Sequence, residues 1–193
     1  MKKGLLASPL GILGLSWEGD LLLGLELDLA APGAGEMTLA VETDTPIPAA
    51  IRGALADYFQ DGRQGLVLDV DPQGTAFQRR VWRMLRSIPP GTTRTYGDLA
   101  RDLDTSPRAI GGACRANPCL IAVPCHRVVA QKGLGGFAGD RSGRRLAVKR
   151  WLLRHEGASV PAETAANQSR PQRRRRSASA TKCELIFHPS ADE

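Results

Sequence analysis

A chain of 193 residues with 42% hydrophobic and 24% charged side chains can bury a core in one domain or in two small ones. It contains no apolar run long enough to span a bilayer, which leaves no candidate for a transmembrane helix. The net charge of +6 hides a division: residues 1–72 carry 4 Lys/Arg against 11 Asp/Glu, residues 73–158 carry 16 against 5, and residues 159–193 carry 6 against 4.

A basic block beside an acidic one points to a polyanionic partner for the middle of the chain. The bland alternative is a solvated basic surface.

The first residues, Met1-Lys2-Lys3-Gly4-Leu5-Leu6-Ala7, faintly imitate a signal peptide, but Pro9, Gly11 and Gly14 interrupt the apolar run. No clear small-residue cleavage site follows, so the segment reads as a first strand and the protein as cytoplasmic. Residues 9–29 read as a strand pair around the turn Glu18-Gly19-Asp20. Residues 30–36 form an Ala/Gly/Pro loop, and 37–43 read as another strand. Residues 45–60 read as a helix capped by Thr45, with Pro46 and Pro48 in its first turn and Ile51, Leu55, Tyr58 and Phe59 on its apolar face. Leu66 to Val70 reads as a short strand. This half holds no cysteine, histidine or motif, so it indicates a small α/β domain and no chemistry.

Residues 75–88 form the clearest helix. Thr75 and Gln78 make a capping box, Phe77, Val81, Leu85 and Ile88 share a face with Trp82 and Met84 beside it, and Pro89-Pro90-Gly91 stops it. Thr95 caps a short helix containing Tyr96, Leu99, Ala100 and Leu103. After the turn Asp104-Thr105, Ser106-Pro107 is an N-cap followed by proline at the first helical position, opening a helix to about Ala116. Two short helices across a tight turn make a helix-turn-helix pattern. The second exposes small residues, Ala109, Gly111, Gly112 and Ala113, framed by Arg108 and Arg115. Two helical glycines cost about 1 kcal/mol each relative to alanine. Either close helix packing compensates, or the helix must approach a nucleic-acid backbone or enter a groove.

Residues 121–129, Ile-Ala-Val-Pro-Cys-His-Arg-Val-Val, set a thiol beside an imidazole. A thiolate is a strong nucleophile, and nearby histidine and arginine are the groups expected to depress its pKa. The β-branched flanks read as a buried strand or strand-turn. In a regular strand Cys125 and His126 would face opposite ways, so the pair requires a bend or an intervening water. Pro124 is compatible with the bend. By itself the adjacency also fits an inert buried cysteine beside a core histidine. The four cysteines, Cys114, Cys119, Cys125 and Cys183, do not suggest a disulfide framework in a cytoplasmic protein. A zinc site of Cys114, Cys119, Cys125 and His126 lacks any compact knuckle spacing. Gly133, Gly135, Gly136 and Gly139 then make a loop around Phe137 that could wall a pocket for a planar ligand. Residues 142–156 read as a last helix, basic on one side, with Leu146, Val148, Trp151 and Leu152 apolar and Gly157 ending it. From Ser159 the Pro, Ala, Ser, Gln and Arg content, including Arg173–Arg176, reads as a disordered basic tail.

Residues 74–158 resemble the O6-alkylguanine-DNA alkyltransferases (methylated-DNA–protein-cysteine methyltransferases). The resemblance rests on Gly74-Thr75-x-Phe77-Gln78-x-x-Val81-Trp82 and Ile88-Pro89-x-Gly91-x-Thr93-x-Thr95-Tyr96-Gly97-x-Leu99-Ala100. It continues in Ala113-x-Arg115-x-Asn117-Pro118, Pro124-Cys125-His126-Arg127-Val128 and Lys149-x-Trp151-Leu152-Leu153-x-x-Glu156-Gly157. Ser8-Pro9-Leu10-Gly11 is more loosely similar to the family's first strands. The resemblance implies an α/β protein: an N-terminal α/β domain (1–72), then a mostly helical domain (73–158) with a winged helix-turn-helix-like DNA-binding element, then the tail (159–193). It implies a monomer without cofactor or metal that acts on double-stranded DNA containing alkylated guanine. The protein would flip the base out and move the alkyl group from O6-alkylguanine, or O4-alkylthymine, irreversibly onto its own cysteine. Cys125 would be the nucleophile, with His126 taking its proton through a water, Glu156 orienting His126, and Asn117 bracing the turn. Tyr96 would give a proton toward the guanine ring. Arg115 would fill the gap in the duplex, with Ser106, Arg108, Gly111, Gly112 and Ala113 at the DNA. Pro124, Phe137, Ala138 and Trp82 would line the base pocket. Phe137 stands where several family members have tyrosine, the loop 139–145 is longer than in compact members, and the first half lacks the cysteines and histidines with which some bind zinc. A non-catalytic relative of the alkyltransferase-like type would lack Cys125. A helix-turn-helix regulator with a structural cysteine and a cysteine hydrolase are the other readings.

Overall fold

In the computed structural model, residues 1–28, 46–140 and 143–160 are described. The expected loop 30–36, strand 37–43, Thr45 cap, Cys183, Arg173–Arg176 and nearly all of the tail lie outside them. The chain opens as an antiparallel meander of three strands: β1 (Lys2–Ser8), β2 (Gly11–Glu18) and β3 (Leu21–Asp28), in that order across the sheet. Alternation along β2 buries Leu13, Leu15 and Trp17 on one face. Gly4 lies under Trp17, where a Cβ would come within 2.8 Å of the indole ring. Helix α1 (Ala49–Gln60) adds Ile51, Leu55 and Tyr58 to the core, and it begins after Pro48 rather than at Thr45.

The free edge of β3 binds the second half of the chain. Leu25 N–H donates to Pro118 O at 2.9 Å, and Leu120 N–H donates to Leu25 O at 2.9 Å. Nearer its start, Leu22 pairs with Val70 through a single parallel bridge. The expected strand Leu66–Val70 therefore reduces to one bridge. Further along β3 the edge is already occupied by residues 118–120, and Val67 stays 83% exposed.

Helix α2 (Ala76–Arg86) has the expected capping box and buries Val81, Trp82 and Leu85. Helix α3 (Tyr96–Asp102) starts at a second capping box, Thr95 with Asp98. Helix α4 (Pro107–Arg115) starts at Ser106, whose hydroxyl accepts from Ala109 N–H, with proline at the first position. The helix-turn-helix is thus present, but among the described residues it carries no hairpin wing. Strands β4 (Arg94–Thr95) and β5 (Val128–Val129) pair in parallel, and among the described residues the only antiparallel pairing beyond α4 is the Phe137–Asp140 bridge. Positive φ at Gly133, Gly135 and Gly139 interrupts any ladder there. Helix α5 (Arg144–His155) closes the fold, ending at Glu156 and the left-handed Gly157. One continuous apolar cluster joins Leu13, Trp17 and Leu55 to Leu99, Val123 and Leu152. No helix among the described residues is long and apolar enough to cross a membrane.

Candidate active site

Between α4 and β5 the chain makes a buried turn in which Ile121, a β-branched residue, adopts φ 69°. Such a conformation is strained and persists only where its surroundings enforce it. Asn117 is the brace. Its Nδ2 donates to Val123 O at 2.8 Å and to Cys125 Sγ at 3.3 Å, while its Oδ1 accepts from Cys119 N–H at 3.0 Å. The edge of β3 holds the other side through Leu25. Cys125, His126 and Arg127 then form a 3₁₀ turn rather than a strand. This is the bend that the adjacency required.

Behind that turn four donors converge on Glu156. His126 Nε2 is 2.8 Å from Oε1, Arg127 Nε donates to Oε2 at 2.8 Å, Arg127 Nη2 donates to Oε1 at 2.9 Å, and Tyr58 donates to Oε1 at 2.8 Å. Arg127 Nη1 also donates to Ile88 O. Burial would raise the Glu156 carboxyl, but the hydrogen bonds from His126 and Arg127, with the guanidinium's charge, hold it at about 2. Burial pushes His126 below its ordinary value, so the ring is neutral at pH 7 and the guanidinium is the cation that Glu156 feels. A neutral imidazole facing a carboxylate donates from Nε2, which leaves the Nδ1 lone pair free. His126 Nδ1 is indeed buried without a hydrogen-bond partner. It is a base with its acceptor site open.

Burial also pushes the Cys125 thiol upward, and the groups that oppose this are the Asn117 amide and the charge of Lys149. The expectation that His126 and Arg127 depress it needs correction, because His126 is neutral and Arg127 is committed to Glu156. Lys149 is fully buried in α5. Its Nζ donates to Val128 O at 2.6 Å, Leu134 O at 2.7 Å and Gly136 O at 2.9 Å. Burial lowers its pKa to about 8, so it remains a cation at neutral pH. Lys149 thereby pins the glycine loop over the cysteine.

A cleft of about 1070 Å³ opens over Cys125. Tyr96, Phe137, Ala138 and the glycine loop line it, as do Arg108, Gly111, Gly112 and Arg115 of α4. Tyr96 donates to Gly136 O at 3.2 Å. Gly111 and Gly112 have open space around them: a Cβ at either would meet nothing within 4 Å. Close helix packing therefore does not account for these glycines. Arg108, Gly112, Arg115 and the cap residue Ser106 are exposed, and the stem of Arg115 rests beside Gly139.

Three expected site residues lie elsewhere. Ala113 is 1% exposed and faces the core, because Ile110, Ala113 and Cys114 form the inward stripe of α4. Trp82 is buried beneath α4, donating to Ala113 O at 2.9 Å, and does not reach the cleft. Pro124 lines a separate cleft of about 510 Å³ on the far side of the turn, with Gly65 and Pro90. Lys149 and Tyr58 are the site residues that sequence reasoning passed over, and Arg127, expected to act on the thiol, serves Glu156 instead. Lys149 had left a signal: it occupies an inward position of the stripe Leu146, Lys149, Leu152, Leu153.

A family model described as "6-O-methylguanine DNA methyltransferase, DNA binding domain" matches residues 76–158. The methylated-DNA–protein-cysteine methyltransferase of Salmonella typhimurium is 45% identical over 115 residues, covering 57% of this chain and 64% of that protein's length. The protein of the same name from Mycolicibacterium paratuberculosis is 37% identical over 161 residues, covering 79% of this chain and 93% of its own. Among solved structures, Mycobacterium tuberculosis OGT in complex with DNA superposes with a TM-score of 0.60 at 34% identity, covering 82% of this chain and 94% of that one. With a helix-turn-helix before the site, a buried Cys-His-Glu constellation within it and matches over most of its length, the chain belongs to the methylated-DNA–protein-cysteine methyltransferase family.

Proposed function

We propose that this protein repairs DNA by moving the alkyl group of O6-alkylguanine, and of O4-alkylthymine, onto Cys125 in a single irreversible turnover. The observation that carries the reading is the buried Cys125 at the floor of a cleft, with Asn117 donating to its sulfur and a neutral His126 whose free Nδ1 is set by Glu156. The thiol proton passes through a water to Nδ1. The thiolate attacks the alkyl carbon, a C–S bond forms, and the C–O bond to the base breaks. The leaving guanine gains a proton at its ring from Tyr96, which solvent restores. In sum, the sulfur exchanges its hydrogen for the alkyl group. A thioether has no bond that water or a base cleaves readily, so the protein is consumed.

In this reading recognition and chemistry belong to residues 73–158, with 1–72 as a supporting domain and 159–193 as an appendage that adds non-specific affinity. Exposed Arg108, Gly112 and Arg115, with half-buried Gly111, form the DNA face, with Arg115 filling the duplex where the base leaves. The protein works as a monomer in the cytoplasm. The deciding experiment mixes it with a duplex containing O6-methylguanine and follows intact mass and peptide maps. One methyl group per molecule, on Cys125, is expected. Modification of Cys114, Cys119 or Cys183 instead, or several turnovers per molecule, would overturn the reading.

A further inference from the structure

Tyr58 lies in α1, in the half of the chain that carries no motif, yet its hydroxyl reaches Glu156 Oε1 at 2.8 Å across 98 residues of sequence. We propose that Tyr58 is a positioning residue for alkyl transfer: its hydroxyl fixes the Glu156 oxygen that orients His126. The inference rests on the function proposed above.

The geometry supports a dedicated role. A carboxylate offers about four acceptor positions. Tyr58, His126 and the two donors of Arg127 fill them, with three converging on Oε1. The same oxygen that sets the tautomer of His126 is therefore shared with a neutral donor from the first half of the chain. Tyr58 is itself held. His155 Nε2 lies 2.6 Å from Tyr58 O, and the two rings meet edge to face with centroids 5.4 Å apart. Gly62 lets the chain after α1 close on His155, where a Cβ would come within 2.4 Å of the imidazole. Burial and the neighbouring carboxylate push the Tyr58 hydroxyl well above its ordinary value, so it stays a donor at every working pH.

Tyr58 therefore draws charge from Oε1 that would otherwise be spent on His126. The charged or titratable groups facing that imidazole are Glu156 and Lys149 from α5, with Cys125 and Arg127 beside it in the turn. Without the Tyr58 hydroxyl, Oε1 turns more basic and favours the imidazolium. A protonated His126 cannot accept the thiol proton, so the acid limb of the rate profile moves to higher pH.

The test uses the full chain and measures single-turnover transfer from an O6-methylguanine duplex between pH 5.5 and 9. Tyr58→Phe keeps the buried ring. Its rate should fall about three- to fivefold on the acid limb, the size expected for one hydrogen bond to a charged group shared among several donors, and change less than twofold on the plateau above it. In a Glu156→Gln background the same substitution should leave the limb where it is. Site-specific 3,5-difluorotyrosine at position 58, a stronger donor, should move the limb to lower pH. It also provides the test should Tyr58→Phe fold poorly. A uniform loss at all pH values, or a limb unmoved by both replacements, would overturn the proposal. Failure of the unaltered protein to be alkylated at Cys125 would instead overturn the function on which it rests.

Discussion

Replacing Lys149 with Met tests whether a buried cation is retained for chemistry at the expense of stability. The side chain is fully buried, and burial lowers its pKa from 10.5 to about 8. At 1.36 kcal/mol per tenfold change in proton affinity, that drop corresponds to about 3 kcal/mol. Its sign follows from linkage. The unfolded chain binds this proton more tightly than the folded protein, so this contribution to stability is present above pH 10.5 and lost as pH falls through about 8. At pH 7 the folded protein therefore carries the full cost. Lys149→Met removes the titration and leaves three carbonyls, those of Val128, Leu134 and Gly136, without their shared donor. Unmade buried hydrogen bonds cost about 1 kcal/mol or more each. The two effects are of similar size at pH 7, where the variant should lie within about 1 kcal/mol of the parent. By pH 10 the parent has regained most of its 3 kcal/mol and the variant falls behind by about that amount. Urea unfolding of both proteins at the two pH values reads this double difference directly. Transfer at pH 7 should drop by about tenfold, because the thiolate loses its nearest opposing charge. A stability difference that is the same at pH 7 and pH 10 would refute the reasoning.

Asn117→Ala removes the brace of a turn that holds Ile121 in a strained conformation; losing its three hydrogen bonds should cost about 3 kcal/mol in urea unfolding and slow transfer strongly. Gly111→Ala and Gly112→Ala have room for their methyl groups, so each should raise stability by about 1 kcal/mol while weakening repair of duplex substrate and sparing reaction with free O6-benzylguanine. A fall in melting temperature for either would mean that the glycines serve the fold rather than a partner. Arg115→Ala should slow duplex repair far more than reaction with free O6-benzylguanine, since unstacking a base costs a few kcal/mol and only the duplex requires it; equal losses would assign Arg115 to the pocket or the fold.

How much was legible depended on the range of the interaction. The starts of α2 and α3 were readable because a capping box spans four residues and is satisfied locally, and that of α4 because Ser106 caps it with proline at the first helical position. The apolar run Leu66–Val70 misled because such a run does not say which edge it will find; β3 had spent most of its edge on residues 118–120. Ala113 was misplaced by composition, when helical periodicity would have turned it inward with Ile110 and Cys114. The bond between His126 and Glu156 spans 30 residues, and no spacing rule predicts it; it came from resemblance to a family. The Tyr58 contact was out of reach of both, since one tyrosine on an apolar helix face looks like any core aromatic.

The basic block shows the same limit in its charge. Composition assigns the excess of residues 73–158 to a polyanion, but the structure spends part of it inside the protein. Arg127 neutralises Glu156, and Lys149 sits under the glycine loop. Arg79, Arg80 and Arg86 donate to the carbonyls of Gly74, Leu103 and Leu68, and Arg145 to that of Ala138. Exposed side chains that bind carbonyls keep their charge and add to the field around the protein, whereas the two buried cations act mainly on Glu156 and Cys125. Arg127 holds the carboxylate ionised so that it can orient His126, which burial keeps neutral, and Lys149 offsets the cost of forming a thiolate out of water. Counting charges along the sequence finds the exposed excess and the buried cations together, and only burial separates them.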